Sequence, residues 1–150
     1  GLMPAAVLAW RICRVAFAAL DGEGARLHGG RWNRRGHPVV YTADTAALAL
    51  LEIRVHLDLP PDLLPDDYVL LRIEGDGVAI ETLDAIPDDP AAFGTAWLEA
   101  GRSAVLRVPS VIVPENCNLL LNPRHPDAVR LSVVATRAVK FDERLWSGAP

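Results

Sequence analysis

No apolar run in this sequence approaches the roughly 18 uninterrupted residues that a membrane helix needs. Arg11 and Arg14 break the first hydrophobic stretch, so neither a span nor a secretory leader is read there. Cysteine is scarce. Cys13 and Cys117 stand far apart without CxxC or Cys/His spacing, which speaks against a zinc site or a disulfide framework and for buried free thiols in a reducing cytoplasm. Lysine is nearly absent, Lys140 standing alone, and the formal charge is −4. The excess of cationic side chains that holds a phosphate backbone is therefore missing, and no direct nucleic-acid binding is expected. The common catalytic signatures are missing too: there is no G-x-S-x-G elbow, Walker loop, HExxH or G-x-G-x-x-G. His28, His37, His56 and His125 have no metal-ligand spacing, so no metal is expected.

What is present suits one globular domain. The 150 residues can bury a single core, and 51% of them are apolar against 23% charged. Val7 to Val15 reads as a first strand, and the Asp21-Gly22-Glu23-Gly24 and Gly29-Gly30 signals that follow read as turns. Pro38 to Thr42 reads as a short buried strand, and Asp44 or Thr45 can cap a helix running to about Leu57 before Pro60-Pro61. Tyr68 to Ile73 and Val78 to Ile80 suggest a hairpin across Gly75-Asp76-Gly77. Asp89-Pro90 opens a helix that Gly101 can end. Ala104 to Val108, Ser110 to Val113, Asn118 to Leu121 and Leu131 to Ala135 then make the second half β-rich, and the fold class is α+β.

Two segments do not fit a plain core. Three, four and seven residues from Glu52 lie Thr45, Leu48, Ala49, Val55, His56 and Leu59, so this carboxylate points along a largely apolar helix face. A pair with His56, an ion pair with a loop arginine, or a place at the floor of a cleft would each account for it. The second segment is His28-Gly29-Gly30-Arg31-Trp32-Asn33-Arg34-Arg35-Gly36. Its glycines let backbone approach an anion, its arginine forks suit diphosphate oxygens, and its indole can stack, although an Arg-rich turn can equally be a solvated surface. Tyr41 ends the strand that feeds the Glu52 helix, where it could join Arg31 and Glu52 at one crevice or remain a core tyrosine with its hydroxyl satisfied. Val108-Pro109-Ser110 with Asn116, Asn118, Asn122 and His125 is rich in neutral hydrogen-bonding groups, as ordinary turns also are.

The assembled pattern resembles the RES family, named for its characteristic Arg, Glu and Ser. Trp10-Arg11-Ile12, Gly24-Ala25, Gly29-Gly30-Arg31-Trp32-Asn33, Gly36, Pro38, Tyr41-Thr42-Ala43, Ala47-Leu48-Ala49, Leu51-Glu52 and His56 fall in the family's order and spacing. Tyr68, Trp97, Val108-Pro109-Ser110, Asn118 to Pro123 and His125 look like its second half. The resemblance spans residues 8 to 136 of a single domain taken as 1 to 150. It implies a fold like that of the diphtheria-toxin-like ADP-ribosyltransferases, with a split sheet around an NAD crevice. It further implies a cytoplasmic bacterial toxin that degrades NAD by hydrolysis or phosphorolysis, so NAD is the substrate and no cofactor is needed. The implied partner is a cognate Xre-type helix-turn-helix antitoxin, in homo-oligomers or hetero-oligomers with it. Protein ADP-ribosylation is the alternative activity, and an inactive NAD- or antitoxin-binding module is a further one.

Carried over residue by residue, the resemblance marks Arg11, Arg31, Tyr41, Glu52 and Ser110. Glu52 would stabilise the oxocarbenium-like ribose or hold its hydroxyls, while Arg31 and Arg11 would neutralise the diphosphate. Tyr41 would pack against the nicotinamide ribose and Ser110 would offer a hydrogen bond near the nicotinamide. Nicotinamide in NAD is already cationic and leaves as a neutral ring, so the general acid of ordinary glycosidases is unnecessary and one principal carboxylate suffices.

Overall fold

The computed structural model describes residues 3–148. Six strands form its sheet: β1 (Met3–Arg14), β2 (Val40–Ala43), β3 (Tyr68–Thr82), β4 (Val105–Pro109), β5 (Cys117–Leu121) and β6 (Ser132–Ala138). They run in the order β1-β2-β5-β4-β3-β6, and β1 also pairs with β3, so the first five strands close on themselves and β6 flanks β3. Closure satisfies edges that would otherwise present unpaired N–H and C=O groups. Three helices accompany the sheet: α1 (Glu23–His28), α2 (Ala46–Val55) and α3 (Pro90–Ala100).

Side-chain alternation along each strand sorts the apolar residues into an inside and an outside. Val7, Ala9 and Cys13 of β1 meet Val40, Leu71, Ile73, Val105, Leu119 and Leu121 in the central cluster. Trp32, Val39, Trp97, Leu106, Val108 and Leu120 form an outer cluster under α3. Ile12, Ala43, Leu48, Ala49 and Leu70 form a second one under α2. The two helices thus cover different outer faces of one small barrel.

The helix signals operate as expected, with the bounds slightly shifted. Thr45 caps α2, its side chain accepting from Leu48 N at 3.0 Å, and α2 ends at Val55. Asp89 caps α3 by accepting from Ala92 N at 3.1 Å, and Gly101 ends it in the left-handed region. Three local expectations are corrected. The segment containing Glu23 and Gly24 is the helix α1 and not merely a turn. The hairpin across Gly75-Asp76-Gly77 does not exist: β3 is one continuous strand, because β1 pairs along it from Tyr68 to Ile80. Val7 faces Gly75 and Ala5 faces Val78, so Asp76 and Gly77 stand opposite the single residue Ala6, and the turn signal encodes a bulge with Gly77 at φ 65°. Ser110 to Val113 is a turn, since the Ser110 hydroxyl oxygen captures the N–H groups of Ile112 and Val113 that a ladder would need. The thiols are free, Cys13 buried and Cys117 only half-buried.

The segment after β6 returns across α2. Arg54 donates from Nε to the Leu145 carbonyl at 2.9 Å and lies 4.4 Å from the centre of the Trp146 ring, while Trp146 Nε1 donates to the Leu59 carbonyl at 3.0 Å. The end of α2 is thereby tied down three residues from Glu52. Among the described residues no helix is long and apolar enough to cross a membrane.

Candidate active site

The sheet has one weak seam. β1 and β2 pair only at Trp10 and Ala43, and beyond that point the two strands separate. Arg11, on the same side of β1 as Ala9 and Cys13, spans the gap by donating from Nη1 to the Tyr41 carbonyl at 3.0 Å. Its Nε is buried without a partner among the described residues. A crevice of about 720 Å³ opens along this seam, bounded by β1, α1 and the loop after it, β2, α2 and the turn after β4. That volume suits a ligand of dinucleotide size or smaller.

Arg11, Arg31, Tyr41 and Glu52 all line the crevice. Glu52 enters from the inner face of α2 and is half-buried. Burial raises its pKa, opposed first by a hydrogen bond from Asn118 and then by the charges of His56 and Arg31, while Asp44 adds to the rise. Of the partners open to it from sequence, His56 and Arg31 act through space only; the hydrogen bond comes from the amide of Asn118 on β5. Asn118 belongs to the polar run after Ser110, and no local signal pairs it with Glu52, because strand pairing alone brings it opposite Ala43.

Tyr41 has a structural duty. Its hydroxyl accepts from Trp32 N at 2.9 Å and donates to Asn33 Oδ1 at 2.6 Å, which pins the turn that carries Arg31. Asn33, buried, donates in turn to the carbonyls of Ala25 and His37 at 2.8 and 3.0 Å. Burial drives the Tyr41 pKa up to about 12, so the phenol stays protonated and neutral under working conditions. Gly30 belongs to this arrangement, since a Cβ there would stand 2.7 Å from the Tyr41 hydroxyl. Tyr41→Phe is expected to lose about 0.5–1.5 kcal/mol of stability and to loosen the Arg31 turn. Denaturant unfolding read beside amide exchange at residues 30–33 measures both effects.

Ser110 is placed differently from the other four. It is 1% exposed, its oxygen is engaged by the N–H groups of Ile112 and Val113 at 3.1 and 3.2 Å, and the crevice wall is made by its neighbours Pro109, Val111 and Ile112. The serine shapes that wall, and its hydroxyl does not face the ligand space. Among the described residues no group of three or more His, Cys, Asp or Glu side chains could hold a metal ion.

The arrangement offers one half-buried carboxylate, a guanidinium bridging a strand gap, a second guanidinium on a braced turn, and aromatic walls from Trp10 and Tyr68. Such a site can bind a dianionic, ring-bearing ligand and stabilise positive charge developing beside Glu52.

A family model described as the RES domain matches residues 8–142. The chain is 41% identical over 140 residues to the Prs ADP-ribosylating toxin of Sphingobium sp. (strain YBL2), covering 84% of this chain and 86% of that one. It is 39% identical over 130 residues to Toxin Res of Pseudomonas putida (strain KT2440), covering 81% and 88%. Its fold is similar to that in the crystal structure of the M. tuberculosis MbcT–MbcA toxin–antitoxin complex, with a TM-score of 0.77 at 22% identity over 93% of this chain and 87% of that one. A family match running from β1 to beyond β6, with relatives of this identity and coverage, means that the chain belongs to the RES domain family.

Proposed function

We propose that this chain is the toxin of a toxin–antitoxin pair and that it cleaves the nicotinamide–ribose bond of NAD at the β1–β2 crevice, with water or phosphate as acceptor. The observation that carries the reading is Glu52: a half-buried, oriented carboxylate held in a crevice beside Arg31, where a departing neutral ring leaves positive charge on the ribose. Arg11, whose buried Nε has no partner among the described residues, and Arg31 bind the diphosphate. Tyr41 contributes its ring to the wall and holds the Arg31 turn, and Ser110 acts through the shape of the Pro109–Ile112 wall. Kinship with the diphtheria-toxin-like ADP-ribosyltransferase fold is part of this reading, and the split between β1 and β2 agrees with it. So is neutralisation by a cognate antitoxin of the Xre type, a view supported by the likeness to a toxin that was solved with its antitoxin.

Mixing purified protein with NAD, with and without phosphate, and following free nicotinamide by chromatography tests the activity. Release supports it, and dependence on phosphate separates phosphorolysis from hydrolysis. Arg31→Lys is expected to cost at least about tenfold in kcat/KM in the same assay, because an ammonium cannot reproduce a planar bidentate fork.

A second reading keeps the site and changes the acceptor to a protein side chain. The name of the Sphingobium relative, an ADP-ribosylating toxin, favours it. Label carried from adenine-labelled NAD onto protein, in place of free ADP-ribose or its phosphate, would decide for it.

A further inference from the structure

The helix that carries Glu52 gives its carboxylate no hydrogen-bond donor. The charged and titratable groups around it are His56, one turn further along α2, Asp44 from the segment entering α2, and Arg31 from the loop after α1; the first and last favour the anion and Asp44 opposes it. Its donor comes from across the sheet, where Asn118 Nδ2 reaches both Glu52 Oε1 and, at 3.2 Å, the Thr42 carbonyl.

The backbone under Asn118 is held firmly. One residue earlier, Cys117 N donates to Asp44 Oδ2 and Asp44 N donates to the Cys117 carbonyl, both at 3.0 Å, while Asn116 Nδ2 donates to Asp44 Oδ1 at 3.2 Å. The register places Asn118 opposite Ala43 on one side and Val108 on the other. Alternation then sends Asn118 and Leu120 toward the crevice, and Leu119 and Leu121 into the barrel. An amide nitrogen has two hydrogens, and with Glu52 ionised each meets an oxygen that can only accept. The reversed amide would set its own oxygen against a carbonyl and a carboxylate, so the side chain has one orientation and both donors are committed.

We propose that Asn118 is the positioning residue of this site: its amide, anchored on the Thr42 carbonyl, grips one oxygen of Glu52, fixes the rotamer and leaves the other oxygen to face the ribose. The inference rests on Glu52 being the reacting carboxylate of the proposed NAD-cleaving site. A donor aimed at the carboxylate also favours its charged form, against the burial that disfavours it. The isosteric Asn118→Asp would instead set a second carboxylate against Glu52 and make the two share a proton.

The experiment uses wild type, Asn118→Ala and Asn118→Asp, the last keeping the shape if the alanine variant fails to fold. Nicotinamide release is followed against pH and NAD concentration. In parallel the Glu52 carboxyl is titrated by carbon NMR in ligand-free, glutamate-labelled protein, its resonance identified by its loss in Glu52→Gln. We expect kcat to fall about tenfold or more in either variant with KM changed by less than about threefold, the size of one hydrogen bond to a charged group. The acid limb of the rate profile and the Glu52 titration should both move to higher pH, further in Asn118→Asp. Folded variants with wild-type kcat and an unmoved Glu52 titration would overturn the proposal. If the wild type releases no nicotinamide, the NAD-cleaving reading fails by itself, and the ligand-free titration still decides whether Asn118 governs Glu52: a shift upholds that role and no shift ends it.

Discussion

Replacing Glu52 with Gln is expected to lower nicotinamide release by roughly 100-fold or more while the protein stays folded, the magnitude that single electrostatic groups contribute when they face developing charge. Gln keeps the volume of the side chain and an oxygen for the Asn118 amide, so the packing of α2, through Leu48 and Ala49, on the sheet need not change. What disappears is the negative charge that the proposed reaction sets next to the ribose. Stability supplies an independent check. The Glu52 pKa is raised in the folded state, so the folded protein holds this proton more tightly than the unfolded chain does. The contribution to stability is fully present below the unfolded value and is lost as pH rises through the folded one. The wild type should therefore lose stability relative to Glu52→Gln as pH is raised from about 4 toward neutrality. Urea unfolding of both proteins at several pH values measures the difference, and a difference of opposite sign would contradict the burial of this carboxylate. An active, folded Glu52→Gln enzyme would remove Glu52 from the mechanism.

Gly94→Ala is expected to be as damaging from a position well removed from the carboxylate. A Cβ on Gly94 would lie 1.9 Å from the Trp32 carbonyl oxygen and 2.8 Å from its carbonyl carbon. Backbone on both sides leaves no flexible chain end to move aside, so α3 and the Arg31 turn must separate. The same interface holds Arg34 N on Thr95 Oγ1 at 3.0 Å, the Trp32 and Phe93 rings edge to face at 6.4 Å, and Trp97, whose indole donates to Ser103 Oγ at 2.8 Å. Overpacking of this kind costs about 1–3 kcal/mol, and occasionally more. Function should suffer beyond the stability loss, because Trp32 is the residue after Arg31 and its N–H is bound by Tyr41. Thermal unfolding together with NAD cleavage below the melting temperature tests this. A variant with unchanged melting and activity would show that α3 does not buttress the arginine turn.

Much of this was legible in the chain itself. Apolar spacing and caps marked α2 and α3 because their signals are local: Thr45 and Asp89 bond within one turn of themselves. The RES-like order of Arg31, Tyr41 and Glu52 marked residues that do meet at one crevice. The bulge in β3 carries the signal of a hairpin turn because glycine and aspartate mark both, and only the long partner strand β1 determines that the chain continues straight.

The sequence by itself determined where the candidate side chains stand: one carboxylate on an apolar helix face, arginines in a glycine-bearing turn, and the caps and periodicities that build the elements around them. Tertiary structure alone decided what those side chains do to one another. Tyr41 braces a turn, Ser110 shapes a wall, Arg11 spans a strand gap, and Asn118 holds Glu52 from 66 residues away. The physical reason is that capping and periodicity act over a few residues, whereas a buried polar atom must find its partner wherever sheet closure brings one within hydrogen-bonding distance.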